Sequence, residues 1–254
     1  MAVTFIEMSY MLKDFNGRKV FITGGAKRLG AEIAKAFAGY GAELIIHHNN
    51  SARDAERLVK EMLKKGAKAY AVKADVGKIG EIEDAVNKGA ELLGGLDILI
   101  VNAAIFYKTP LAETSESQWN DFMDINLRAP FFFSKFASPF LKKSSCGRII
   151  NISDTYGFSP AASYVPYGVS KAGLIALTKG LAKELAPEVT VNCVCPGVIK
   201  MKQEAGSRKQ ETAVNSTLLK RPSDIKDVVD AVLFLAKNNS MTGQAVCVDG
   251  GKNV

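Results

Sequence analysis

The chain has 254 residues, 47% hydrophobic and 23% charged, a length and balance that suit one large α/β domain with a substantial core. Its 33 Lys/Arg are scattered among 26 Asp/Glu with no basic cluster interleaved with aromatics. The net charge of +7 therefore reads as a solvated basic surface, part of which would favour a polyanionic cofactor, and no nucleic-acid partner is expected. No apolar run reaches the ~18–20 residues that cross a bilayer.

The start, MAVTFIEMSYMLKDFNG, lacks the basic-then-apolar order of a signal peptide. No linker composition or repeat interrupts the rest of the chain, so a single domain over 1–254 is expected, with 1–15 as an N-terminal extension. In chain order, β-rich apolar runs at 19–23, 43–47, 68–74, 97–101, 148–153, 190–195 and 245–248 predict seven strands. Several are apolar almost throughout (LDILIV, GRIINI, TVNCVC), as parallel strands covered on both faces must be. The first runs into TGGAKRLG and a helix in which Leu29, Ile33 and Phe37 recur every four residues before Gly39 and Gly41. After the second strand, SARDAERLVKEMLKKG starts with Ser51 as candidate N-cap and closes at Gly66. Alternating β and α over the whole length predicts a doubly wound, parallel seven-stranded sheet with helices on both faces, its ligands at the carboxyl ends of the strands.

In that frame the first turn is a phosphate site. Gly24 turns tightly, Gly30 lets helix and strand pack closely, and the candidates Lys27, Arg28 and Leu29 lie between them at the positive end of the helix. Arg28 occupies a place where such turns commonly carry glycine. The second strand ends in IIHHNNS with no carboxylate to hold ribose hydroxyls. Asn50, Ser51 and a nearby guanidinium would instead welcome a 2′-phosphate, so NADP(H) is expected over NAD(H). His47 and His48 face opposite ways on a strand, which suits the neighbourhood of an adenosine and not a metal. The cysteines, Cys146, Cys193, Cys195 and Cys247, offer one same-face pair without a second pair or His beside it. Neither zinc nor any other metal is expected, and reduced thiols suit a cytoplasmic protein.

In YGVSK, Tyr167 and Lys171 are four residues apart, which puts phenol and ammonium on one helix face. A cation held near a phenol lowers its pKa toward working pH and makes it a usable proton donor.

TGGAKRLG, ADV (Ala74–Val76), LDILIVNAA, INL, YGVSK, VNCVCPG and TGQAVCVDGG stand in the order and spacing of the short-chain dehydrogenase/reductases, which the chain resembles from about Asn16 to Gly251. The resemblance implies an oxidoreductase in which Tyr167 donates a proton, Lys171 lowers its pKa and holds the nicotinamide ribose, and Asn126 anchors a water. It further implies Asp75 and Val76 beside the adenine, Asn102 along the cofactor channel, and Pro196 and Gly197 beside the nicotinamide. Where the family usually has a serine, thirteen residues before the tyrosine, this chain has Asp154. Ser153 is one residue off and would need a bulge to take that place. Arg28, Phe106 and Asp154 together resemble the pteridine-reductase branch. The implied substrate contacts are Arg28, Phe106 stacking on a flat ring, and Asp154 with Tyr167 protonating a ring nitrogen. The alternatives are a 3-oxoacyl-[acyl-carrier-protein] or general ketone reductase of the same family, or a non-catalytic dinucleotide sensor. The polar stretch 198–224 is expected to be a substrate lid. Ala172, Gly173, Ala176 and Gly180 on the helix after Tyr167 point to a homotetramer or homodimer.

Overall fold

A computed structural model describes residues 15–199 and 214–254. Most of the expected N-terminal extension and the centre of the expected lid, residues 200–213, lie outside the described residues.

Seven strands form one sheet: β1 Lys19–Ile22, β2 Glu43–His48, β3 Ala69–Lys73, β4 Ile98–Val101, β5 Gly147–Ile152, β6 Val189–Pro196 and β7 Ala245–Val248. All pairs are parallel, in the order β3-β2-β1-β4-β5-β6-β7. The helices, in chain order among the described residues, are α1 Arg28–Gly39, α2 Ala52–Lys64, α3 Ile79–Leu93, α4 Glu116–Met123, α5 Ala129–Leu141, α6 Val165–Glu184 and α7 Ile225–Lys237. None of them is long and apolar enough to cross a membrane.

The strands follow the apolar runs to within a residue or two at either end, because a strand buried on both faces leaves little polar sequence inside it. Alternation sends neighbouring side chains to opposite sides. Val20, Ile22, Leu44 and Ile46 pack with Ile33 and Phe37 of α1 and with Val228 and Val232 of α7. Phe21, Ile45 and Leu99 pack on the other face with Ile82 and Val86 of α3 and Phe133 of α5. The winding reverses between β1 and β4, and their carboxyl ends open the crevice in which the site sits.

Two local readings change. Ser51 does stand at the N-cap position of α2, but its side chain makes no cap hydrogen bond. Gly173 is small for an internal reason: a Cβ there would lie 2.7 Å from Leu127 of the same chain, whereas Gly180 faces open space. Gly173 therefore gives no support to a partner helix.

Candidate active site

The crevice holds a cavity of about 460 Å³. It is lined by the turn residues Gly24, Lys27, Arg28, Leu29 and Gly30, by Asn50 and Ser51 after β2, by Asp75 and Val76 after β3, and by Asn102 after β4. Every cofactor candidate from the first four strand ends thus lines this one cavity. The turn is built by close approach. A Cβ on Gly30 would collide with the Gly24 carbonyl oxygen and lie 2.6 Å from Asn102 Nδ2. Asn102 explains the tightness, since its Nδ2 donates to the carbonyls of Thr23 and Gly24, both at 3.0 Å. Gly24 has φ of 59° and Arg28 has φ of 50°, so Arg28 keeps the left-handed backbone of the glycine it stands in for. Among the described residues its exposed guanidinium has no hydrogen bond or ion pair. Lys27 differs: its ammonium is spent on Asp54 of α2 at 2.8 Å. Asn50 is exposed, and neither its amide nor the Ser51 hydroxyl is engaged among the described residues, leaving both open toward the cavity at the start of α2.

The expected catalytic residues meet where β5 ends. Ser153 is off the strand, buried, and its Oγ donates to the Lys171 carbonyl at 2.9 Å. Asp154 turns the other way. One carboxylate oxygen accepts from the Tyr156 amide at 2.8 Å, capping the 3-10 turn Thr155–Gly157, and the other accepts from the Tyr167 hydroxyl at 2.9 Å. No bulge restores Ser153, so the residue facing Tyr167 is Asp154.

Tyr167 sits in the first turn of α6 and Lys171 one turn on, both buried. Lys171 Nζ donates to the Ile152 carbonyl at 2.9 Å and lies 5.8 Å from the Tyr167 ring centroid. The expected lowering of the phenol pKa is reversed here. Burial, and then the neighbouring Asp154 charge, push Tyr167 well above its ordinary value. Burial also raises Asp154 and lowers Lys171. A carboxylate in hydrogen-bond contact outweighs an ammonium across the ring.

Asn126 lies in a π-helical turn, Asp124–Arg128, between α4 and α5. That widened turn swings its side chain inward. Nδ2 donates to the Ile105 carbonyl at 3.1 Å and to Ser170 Oγ at 3.2 Å, while Oδ1 accepts from the Ile105 amide at 2.9 Å. Asn126 thereby joins the β4 loop to α6. Pro196 closes β6, and Gly197 donates to the Val248 carbonyl at 3.0 Å, so close that a Cβ on it would lie 2.8 Å from Asp249 Cα.

Phe106, 57% exposed, stands edge-on to Tyr167 at 4.8 Å between ring centroids and stacks on Tyr164 at 5.0 Å with 3° between planes. Tyr156 completes the aromatic wall, with the Lys252 ammonium 4.3 Å from its ring centroid. Tyr156, Tyr164 and Lys252 were not among the expected residues. The run DTYGFSPAASYVPY advertises its aromatics, but nothing local ties Lys252 to them. Cys193 and Cys195 do share a face, their sulfurs 3.6 Å apart, and all four cysteines are free.

The family described as Enoyl-(Acyl carrier protein) reductase matches residues 24–253. The chain is 31% identical over 239 residues to the 3-oxoacyl-[acyl-carrier-protein] reductase FabG of Staphylococcus aureus, covering 92% of this chain and 97% of that protein. A short chain dehydrogenase from Burkholderia cenocepacia, solved in complex with NADP, superposes with a TM-score of 0.91 at 31% identity, covering 95% of this chain and all 100% of that one. A blue fluorescent protein from a metagenomic library, solved with NADPH, gives 0.90 at 32% identity, with 95% and 100% coverage. These relatives lend no support to the pteridine-reductase branch; the curated one carries the 3-oxoacyl reductase activity that was the alternative. Fold, site geometry and these likenesses agree on one conclusion: the chain belongs to the short-chain dehydrogenase/reductase family of oxidoreductases.

Proposed function

We propose that the protein is an NADPH-dependent reductase whose preferred substrate is a flat heteroaromatic ring with a C=N bond, of the dihydropterin kind. The observation that carries this reading is the Tyr167 hydroxyl bonded to Asp154 in place of a serine. A serine hydroxyl polarises a carbonyl; a raised carboxyl beside a phenol supplies an acidic proton, which a reduced nitrogen needs. Phe106 and Tyr156 offer ring faces for a planar substrate.

The cavity fits a dinucleotide. It has the glycine cradle at Gly24 and Gly30, the exposed Arg28 guanidinium, and open amide and hydroxyl groups at Asn50 and Ser51 where a carboxylate would repel a 2′-phosphate. The NADP and NADPH complexes of the structural relatives support the same choice. Asp75 and Val76 would border the adenine, and Asn102, Pro196 and Gly197 the nicotinamide half. When bound, the cofactor supplies hydride. Tyr167 would hold the proton at its Oη, Asp154 would share it, and Lys171 would keep the buried pair positively balanced and reach the ribose. Asn126 would hold the loop of Ile105 and Phe106 against α6.

A second reading, reduction of a 3-oxoacyl thioester, is favoured by the FabG relative. NADPH oxidation assayed with dihydrobiopterin and with an acetoacetyl thioester, on wild type and Asp154→Ser, separates the two. Dihydropterin should win by at least about tenfold in kcat/KM, and Asp154→Ser should narrow the gap. Preference for the thioester by the wild type would overturn the pterin reading. We also propose a cytoplasmic homotetramer or homodimer; a monomer in light scattering at micromolar concentration would refute the oligomer.

A further inference from the structure

His47, next to last in β2, is 1% exposed, its ring packed against Phe21 at 6.3 Å and Phe133 at 5.5 Å between centroids. Both ring nitrogens are engaged. Nδ1 faces the Gly24 amide at 3.1 Å, and Nε2 faces the Ala74 carbonyl at 3.1 Å. An amide can only donate and a carbonyl can only accept, so one tautomer satisfies both: neutral, with the proton on Nε2. Burial agrees, lowering the pKa to about 4. The His47 carbonyl also accepts from the Gly25 amide at 3.0 Å.

These contacts reach two separate parts of the cavity wall. Gly24 opens the phosphate turn after β1; Ala74 precedes Asp75 and Val76 after β3. A side chain on the strand between them ties both to itself. An apolar residue here would leave the Gly24 amide without its partner and free the turn to rotate.

We propose that His47 is a positioning residue for the cofactor. It sets the distance and orientation between the phosphate turn and the adenosine wall without touching any reacting atom. The assignment rests on the dinucleotide reading of the cavity. Its mark is a split between binding and turnover. In His47→Leu the NADPH Kd, read by fluorescence titration, should rise about 5- to 30-fold, the range set by losing one or two such hydrogen bonds. Its kcat at saturating NADPH should stay within about threefold. His47→Asn, whose amide oxygen can still accept from Gly24, should recover most of the affinity. Far-UV circular dichroism checks that each variant is folded. An unchanged Kd in folded His47→Leu, or a loss of kcat equal to the rise in Kd, overturns the proposal. If His47→Leu does not fold, His47→Phe decides. Its ring keeps the packing against Phe21 and Phe133 but offers Gly24 no acceptor and Ala74 no N–H donor, so an unchanged Kd there overturns the proposal too. Absence of NADPH binding by the wild type would instead refute the dinucleotide reading.

Discussion

Replacing Arg28 by glycine should stabilise the protein and damage it as an enzyme at once. With φ at 50°, Arg28 holds a left-handed backbone, which costs an L residue about 1–2 kcal/mol. Glycine removes that strain but adds about 0.4–1 kcal/mol of unfolded-chain entropy. The net gain is between about 0 and 1.5 kcal/mol, which at this chain length raises Tm by up to about 5 °C. The same change deletes a guanidinium that has no partner among the described residues and borders the end of the cavity proposed to hold phosphate. A charge-assisted hydrogen bond to phosphate is worth about 1.5–3 kcal/mol, so KM for NADPH should rise roughly 10- to 150-fold. Arg28→Lys keeps both strain and charge; its Tm should not rise, and its KM should fall between the two. Thermal unfolding without cofactor reads the first effect and initial rates against NADPH the second. A Tm that falls in Arg28→Gly, or a KM within twofold of wild type, would refute the reasoning.

Three further outcomes follow from the same geometry. His47 is held neutral, its pKa about 4 against an ordinary 6.5. Its contribution is therefore complete above pH 6.5 and lost as pH falls toward 4, about 3 kcal/mol over that window; urea unfolding against pH should show a slope there that His47→Asn lacks. Tyr167→Phe should lower kcat about 10²- to 10⁴-fold while NADPH affinity, measured by titration, changes less than threefold. Gly30→Ala forces a methyl onto the Gly24 carbonyl and Asn102, and should cost about 1–3 kcal/mol, seen as a Tm lower by about 3–10 °C.

Much of this was legible in the residues. The strands could be bounded because burial on both faces leaves apolar runs such as LDILIV. The turn could be read because Gly24 and Gly30 sit where a tight bend and a close approach demand them. What was not legible depends on events away from the local pattern. Whether Ser153 or Asp154 meets Tyr167 turns on the last rung of the β5 ladder, at Ile152, which composition does not mark. The direction of the Tyr167 pKa depends first on burial and then on which charge is nearer in space. From spacing, Lys171 was the visible neighbour; in the fold, Asp154 touches the phenol and Lys171 donates to a backbone carbonyl. The π-turn that carries Asn126 inward and the approach of Lys252 to Tyr156 are tertiary, joining segments that say nothing of each other in sequence.

The Asp154–Tyr167 pair also fixes how the reaction should respond to pH. The phenol proton points at a carboxylate oxygen, so with Asp154 ionised that proton is already committed. Protonating Asp154 removes the acceptor's charge and turns the pair into two donors aimed at one place. Burial raises the Asp154 pKa, bringing that form closer to working conditions. Activity that needs the protonated pair is full below the raised Asp154 pKa and falls as pH rises through it. A serine at this position has no proton to lose in that range. In Asp154→Ser the alkaline fall of kcat/KM for a C=N substrate should therefore move to higher pH, toward the limb set by Tyr167, together with a lower plateau. The rate for a plain ketone, which needs only polarisation, should drop less or rise. An alkaline limb that stays in place in Asp154→Ser would show that Asp154 acts only as the cap of its 3-10 turn, and the proton relay would have to be abandoned.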